Sequence, residues 1–200
     1  PRLRFNDGKC DPAGRFFAGT VQEEMFTGQA ALYRLDPNRK RTTVLEGVTI
    51  SNGMDWSADG QTFYYVDTMT QKIARFDFDP ATGRISNRRP LVEIDPEAGC
   101  PDGLTLDRDG NVWVALWDGG AVHCYHGATG KRLHRVAVPV RQVSSCCFGG
   151  SNLGKLFITT ARVGLSDAEL RRQPLAGGLF VAEIPGVAGR PIHLFRSKRS

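Results

Sequence analysis

Residues 101–114 read PDGLTLDRDGNVWV, and two near copies precede them: NDGKCDPAGRFF at residues 6–17 and SNGMDWSADGQTFYY at residues 51–65. Each copy begins with Asn or Asp and a glycine, continues through a short strand-like run, and turns at a second glycine. Eight residues before the turn glycines stand Asn6, Asn52 and Asp102. A weaker fourth copy, residues 145–160, has Cys146 at the same place. A period of 46–50 residues with several short strands per unit is typical of a β-propeller.

The turn residues divide this all-β chain into four blades, at about 1–48, 49–98, 99–142 and 143–196, within one domain. The third blade is the clearest, with predicted strands at 104–106, 111–117, 121–125 and 132–138 joined by Asp-Gly and Gly-Gly turns. The last blade is predicted to have its outer strands at 155–161, 178–184 and 191–195. Two segments, 21–29 and 162–176, interrupt the blades, and the second contains a capping box from Ser166 to Glu169 that predicts a helical turn.

The repeat also predicts where a polar site lies. The innermost strand of each propeller blade lines a central channel, so Asn6, Asn52 and Asp102 are expected to converge at one mouth of that channel. Oxygen ligands of this kind suit a divalent cation or the hydroxyl groups of a small polar ligand. Asp102 is the foremost candidate, because a carboxylate there can hold a cation and accept a proton from a neighbouring water.

Each candidate also has a structural interpretation. Asp102, Asn52 and Asn6 are equally compatible with Asx turns before the glycines that follow them. Arg4 lies two residues before Asn6, on the same strand face, where it either donates to a substrate oxygen or forms a surface ion pair. Glu24 belongs to an acidic pair in the first interrupting segment, either solvated or functional.

Composition narrows the class of protein. The net charge of +5 is modest and spread along the chain, so the arginine pairs are interpreted as solvated loops, and no nucleic-acid partner is expected. No apolar stretch is long enough to span a bilayer, so no membrane partner is expected. The five cysteines are odd in number and lack framework spacing, which favours reduced thiols and a cytoplasmic location. Nucleophile-elbow, Walker and dinucleotide-binding motifs are absent from the sequence.

These stretches resemble the regucalcin (senescence marker protein)/gluconolactonase family, and its animal members most of all. The resemblance extends from Arg4 to about Ile192 and is carried by residues 4–9, 18–20, 50–57, 101–103, 144–150 and 171–178. It implies a six-bladed propeller with one divalent cation (calcium, zinc, manganese or magnesium) at the channel mouth. It also implies hydrolysis of sugar lactones such as gluconolactone, with a link to calcium and ascorbate synthesis in animals.

Residue by residue, the resemblance implies that Asn52 and Asp102 are metal ligands and that Asp102 is also the catalytic base. Arg4, Asn6 and Glu24 correspond to substrate-binding positions. The family's further metal ligand, a glutamate in a Glu-Gly-Pro motif, is absent, so we expect about four blades of the six, without the N-terminal third. The complete protein is expected to be a monomer.

Three functions follow from these observations. The first is a divalent-metal-dependent lactone hydrolase acting on a small sugar lactone. The second is a non-catalytic calcium-binding regulator that uses the same residues. The third is a propeller scaffold for protein partners, for which Asn52 and Asp102 have no role.

Overall fold

The computed structural model describes residues 2–23 and 28–197, and these form four antiparallel sheets arranged as consecutive propeller blades. The first blade contains β1 (Leu3–Cys10), β2 (Phe16–Gln22), β3 (Ala30–Leu35) and β4 (Arg41–Val48). The second contains β5 (Ser51–Trp56), β6 (Thr62–Asp67), β7 (Lys72–Asp79) and β8 (Arg84–Glu93). The third contains β9 (Cys100–Leu106), β10 (Val112–Trp117), β11 (Ala121–Tyr125) and β12 (Arg132–Ala137). In all three, the strands pair in chain order.

The fourth blade has three strands, β13 (Val143–Gly149), β14 (Lys155–Thr160) and β15 (Leu179–Glu183). The prediction of a fourth strand at 191–195 is wrong, since the described residues beyond β15 contain no strand. This segment instead crosses the other blades. Ala188 O accepts from Arg108 N at 2.8 Å in the third blade, and Arg196 N donates to Gly14 O at 3.0 Å in the first. Pro191 also lacks the N–H that a ladder position requires.

The predicted capping box is confirmed. Helix α1 (Asp167–Arg172) starts after Ser166, whose hydroxyl accepts from Glu169 N, while the Glu169 carboxylate accepts from Ser166 N. The turn glycines Gly14, Gly60 and Gly110 have φ values of 80°, 68° and 82°, which explains why glycine recurs at the β1–β2, β5–β6 and β9–β10 turns.

The core lies between the blades as three apolar clusters, one at each blade-to-blade contact. Its largest fully buried side chains include Trp56, Phe63 and Phe17, and the Phe17 and Trp56 rings meet edge to face with centroids 5.1 Å apart. Aromatic rings suit this contact because each buries a large area between two twisted sheets. The innermost strands β1, β5, β9 and β13 are thereby packed side by side although they belong to separate sheets.

Within the described residues, no helix is both long enough and apolar enough to cross a membrane. All five cysteines fall within this part of the chain and are free thiols.

Candidate active site at one end of the innermost strands

A polar cavity of about 880 Å³ opens where the four innermost strands begin. Four of the five predicted site residues line it: Arg4 and Asn6 from β1, Asn52 from β5 and Asp102 from β9. The fifth, Glu24, lies outside the described residues. The repeat therefore predicts the convergence correctly for three separate blades, while the role of each residue stays a prediction.

A chain of hydrogen bonds links these side chains across the blades. Arg4 Nη1 donates to Asn6 Oδ1 at 2.9 Å, and Asn6 Nδ2 donates to Asn52 Oδ1 at 3.2 Å and to Ser51 O at 3.0 Å. Asn52 Nδ2 donates to Thr68 Oγ1 at 2.8 Å, and that hydroxyl donates to Pro101 O at 2.9 Å. The network runs from the first blade to the third, ending one residue before Asp102.

Asp102 has the most perturbed carboxyl group in the cavity. Burial, and then the negative charge of Asp7, raise its pKa to about 8, against smaller opposing effects of the Gly103 backbone N–H and the Asn52 side chain. Burial also raises the pKa of Asp7. A carboxyl group with a pKa near neutrality is suited to accept and return a proton at physiological pH.

The glycines after Asn52 and Asp102 serve close packing rather than turns. Both lie inside strands, and neither has a positive φ. A Cβ at Gly53 would lie 2.3 Å from Leu104 N, and one at Gly103 would lie 2.2 Å from Ser145 Oγ. The Asn-Gly and Asp-Gly pairs thus allow neighbouring innermost strands to approach each other, which brings the preceding polar side chains together.

Other residues of the cavity were not predicted from the sequence, among them Asp7, Thr68, Ser144 and Ser145. The Asp7 carboxylate accepts from Gly8 N at 2.7 Å. In the fourth repeat, the position equivalent to Asn6, Asn52 and Asp102 does not line the cavity. Cys146 at that position is buried, with its Sγ 3.6 Å from Trp113 O, and the two serines before it line the cavity instead. One feature of the sequence could have indicated Asp7 as a site residue, namely its position directly after Asn6 in the first copy.

The donor set fits a hard divalent cation. The cavity holds the Asn52 amide oxygen and the Asp102 and Asp7 carboxylates, and calcium and magnesium prefer such oxygen ligands with water in the remaining positions. Residues 2–23 and 28–197 contain no group of three His, Cys, Asp or Glu side chains placed to bind a metal.

Comparison with known proteins agrees with this class of fold. Residues 1–162 match the SMP-30/gluconolactonase/LRE-like region, and the chain belongs to this family. It is 47% identical to the regucalcin of Pongo abelii over 191 residues, which is 93% of this chain and 64% of that protein. The chain therefore spans a little under two thirds of the length of this relative.

Solved structures show the same relationship. A calcium-binding regucalcin from Agrobacterium tumefaciens is 31% identical with a TM-score of 0.90, and covers 97% of this chain and 65% of its own. A luciferin-regenerating enzyme is 32% identical with a TM-score of 0.89, and the match covers 97% of this chain and 66% of that enzyme's chain. Four blades in about two thirds of such a chain is the share expected from a six-bladed ring.

Proposed function

We propose that this protein is a divalent-metal-dependent hydrolase of sugar lactones that uses the cavity around Asp102. The observation that carries the proposal is the convergence of Asn6, Asn52 and Asp102, from three blades, on one polar cavity. Membership of a family that includes gluconolactonases supports the choice of substrate class. The cytoplasmic location and the link to ascorbate synthesis belong to the same proposal; the first is supported by the cysteines, which lack framework spacing, and by the resemblance, the second by the resemblance alone.

Asn52 and Asp102 would hold the cation, which supplies positive charge that polarises the lactone carbonyl when it is bound. The Asp102 carboxylate accepts a proton from a water molecule as the water oxygen forms a bond to the carbonyl carbon. The ring C–O bond then breaks, and the proton returns to the departing ring oxygen to give the hydroxy acid. General-base assistance of this kind typically contributes a factor of about 10²–10⁴ in rate.

Arg4 and Asn6 would orient the sugar. Asn6 Oδ1 and Arg4 Nη1 are already paired at 2.9 Å, so one acceptor and one cationic donor are presented together at the cavity wall. We assign Glu24, which lies outside the described residues, to the same role by its correspondence with the family alone.

A calcium-binding regulator is the second candidate, favoured by the description of the Agrobacterium tumefaciens regucalcin as a calcium-binding protein. Acid release from gluconolactone separates the two functions. With calcium, zinc, manganese or magnesium added in turn, a hydrolase gives turnover that a chelator abolishes. A regulator binds calcium and leaves the lactone at its uncatalysed rate of hydrolysis.

A further inference from the structure

A partly buried ion pair lies on the same strands as the site residues, three residues further along each. Lys9 follows Asn6 on β1, and Asp55 follows Asn52 on β5. Lys9 Nζ is 3.0 Å from Asp55 Oδ2 and also donates to Leu104 O on β9 at 3.1 Å. One ammonium group therefore contacts all three strands that carry the site.

Asp55 completes the connection between β5 and β9. Its Oδ2 accepts from Leu106 N at 3.0 Å, so the carboxylate holds a backbone group four residues after Asp102. Arg190 adds a bond to the same strand end, since its Nη2 donates to Trp56 O at 2.6 Å and lies 3.9 Å from Asp55 Oδ1. We call the Lys9–Asp55 pair, with its contacts to β9, the clamp.

The clamp matters because the innermost strands belong to different sheets. In the described part of the chain, β1, β5 and β9 are each paired only within their own blade, so no ladder of backbone hydrogen bonds fixes one relative to another. Asn6, Asn52 and Asp102 must nevertheless be held within fractions of an ångström to share one ligand. Side-chain bonds across the blades therefore add to the apolar packing between blades in setting that placement.

The burial of the clamp argues for placement more than for stability. The Lys9 and Asp55 side chains are 28% and 13% exposed. Removing two charges from water largely offsets their attraction, so a buried pair contributes little net stability while fixing geometry. The other lysine–carboxylate pairs of the described chain, Lys72–Glu93 and Lys155–Glu183, lie at exposed strand ends.

We propose that Lys9 and Asp55 are positioning residues that align the three innermost strands so that Asn52 and Asp102 can share one cation. This inference rests on the proposed function for the identity of the ligand. A purely electrostatic role for Lys9 predicts the opposite effect: removing its positive charge near a cation site would strengthen cation binding. Misplaced ligands would weaken it. The sign of the change therefore distinguishes the two roles.

The test is calorimetric titration of the 200-residue chain with calcium and with manganese, comparing the parent with Lys9→Met. Loss of an outer partner of a metal site typically costs about 10–100-fold in affinity, and we expect weakening in this range. As a control, Lys72→Met removes an ion pair of similar length, in which Lys72 Nζ lies 2.8 Å from Glu93 Oε1 at an exposed strand end. This variant should have the cation affinity of the parent.

A second readout does not depend on metal. The Asn6 side-chain amide bonds to Ser51 O and Asn52 Oδ1, and we expect faster hydrogen exchange of this amide in Lys9→Met than in the parent and Lys72→Met. Unchanged or tighter cation binding, or an unchanged Asn6 amide in a folded variant, overturns the inference. If the parent binds neither cation, the proposed function fails, and the exchange rate of the Asn6 amide alone tests whether Lys9 and Asp55 align the strands.

Lys9→Met leaves the partly buried Asp55 carboxylate with only the more distant Arg190, 3.9 Å away, as a cationic partner, which endangers folding. The double variant Lys9→Met/Asp55→Asn removes that penalty and keeps both side chains near their original size. We expect it to fold and to retain the weakened affinity and the faster amide exchange. Parent-like behaviour of the folded double variant contradicts the inference.

Discussion

Asn6 Nδ2 donates to Asn52 Oδ1 at 3.2 Å, joining the innermost strands of two adjacent blades 46 residues apart in sequence. The two side chains also have separate supports, since Asn52 Nδ2 bonds to Thr68 Oγ1 and Asn6 Oδ1 accepts from Arg4. Contacts between equivalent residues of successive repeats bring the repeated polar side chains together in one site.

The separate supports predict that Asn6 and Asn52 have different roles. Asn6→Ala leaves Asn52 anchored by Thr68, so the cation affinity should change less than in Asn52→Ala. The main effect of Asn6→Ala should be a rise in KM for gluconolactone of about threefold to tenfold, because one or two neutral hydrogen bonds to the substrate are lost. Steady-state kinetics with saturating cation measure this. Asn38→Ala, in an exposed turn, is the control, and an Asn6→Ala variant with parental KM contradicts the assignment.

The raised pKa of Asp102 predicts that cation binding depends on pH. Burial and Asp7 raise this pKa to about 8, and a cation binds the carboxylate form only, so below pH 8 each bound cation must displace a proton. The apparent affinity should rise about tenfold per pH unit up to about 8 and then level off. Titrations in one-unit steps on both sides of pH 8 measure the slope.

In Asp102→Asn the slope of that pH dependence should largely disappear, because no proton remains to be displaced at this position. An unchanged slope would assign the titration to another group. Asp109→Asn, at an exposed turn of the same blade, should keep the parental slope.

Close packing of the innermost strands predicts a cost for Gly103→Ala. The added Cβ would lie 2.2 Å from Ser145 Oγ and 2.9 Å from Ser145 Cα, so β9 and β13 must separate. Overpacking of this kind typically lowers the free energy of unfolding by about 1–3 kcal/mol. Chemical denaturation measures it, with Gly154→Ala as the control, since the nearest atoms to a Cβ there belong to the Asn152 side chain, 3.1 Å away or more. Equal stability of the two variants would show that β9 and β13 are not closely packed at Gly103.

The sequence predicts the first three blades well because each of their innermost strands carries the same short motif and each of the turns that follow has a positive-φ glycine. It predicts the convergence of Arg4, Asn6, Asn52 and Asp102 for the same reason. The strand at 191–195 was wrong because its alternating residues look like an edge strand, whereas Arg190 and Arg196 form bonds with the second and first blades. Such long-range bonds leave no local pattern.

Other features of the site depend on three-dimensional neighbours. The charge of Asp7 acts on Asp102 from a strand almost a hundred residues earlier, and Thr68 enters the cavity from the segment after β6. Neither relationship has a fixed spacing in the repeat. The placement of Ser144 and Ser145 in the cavity, in place of Cys146, follows from the start of β13, which the weak fourth copy did not define.

The central claim is tested most directly by the rate of acid release from gluconolactone by Asp102→Asn, measured beside the parent chain with the cation at saturation. Asparagine keeps the shape and one oxygen ligand of Asp102 but cannot accept the proton, so we expect hydrolysis to fall by at least about 10²–10⁴-fold. Asp109→Asn should retain the parental rate. Hydrolysis by Asp102→Asn at close to the parental rate would contradict the assignment of Asp102 as the base and would favour the calcium-binding regulator.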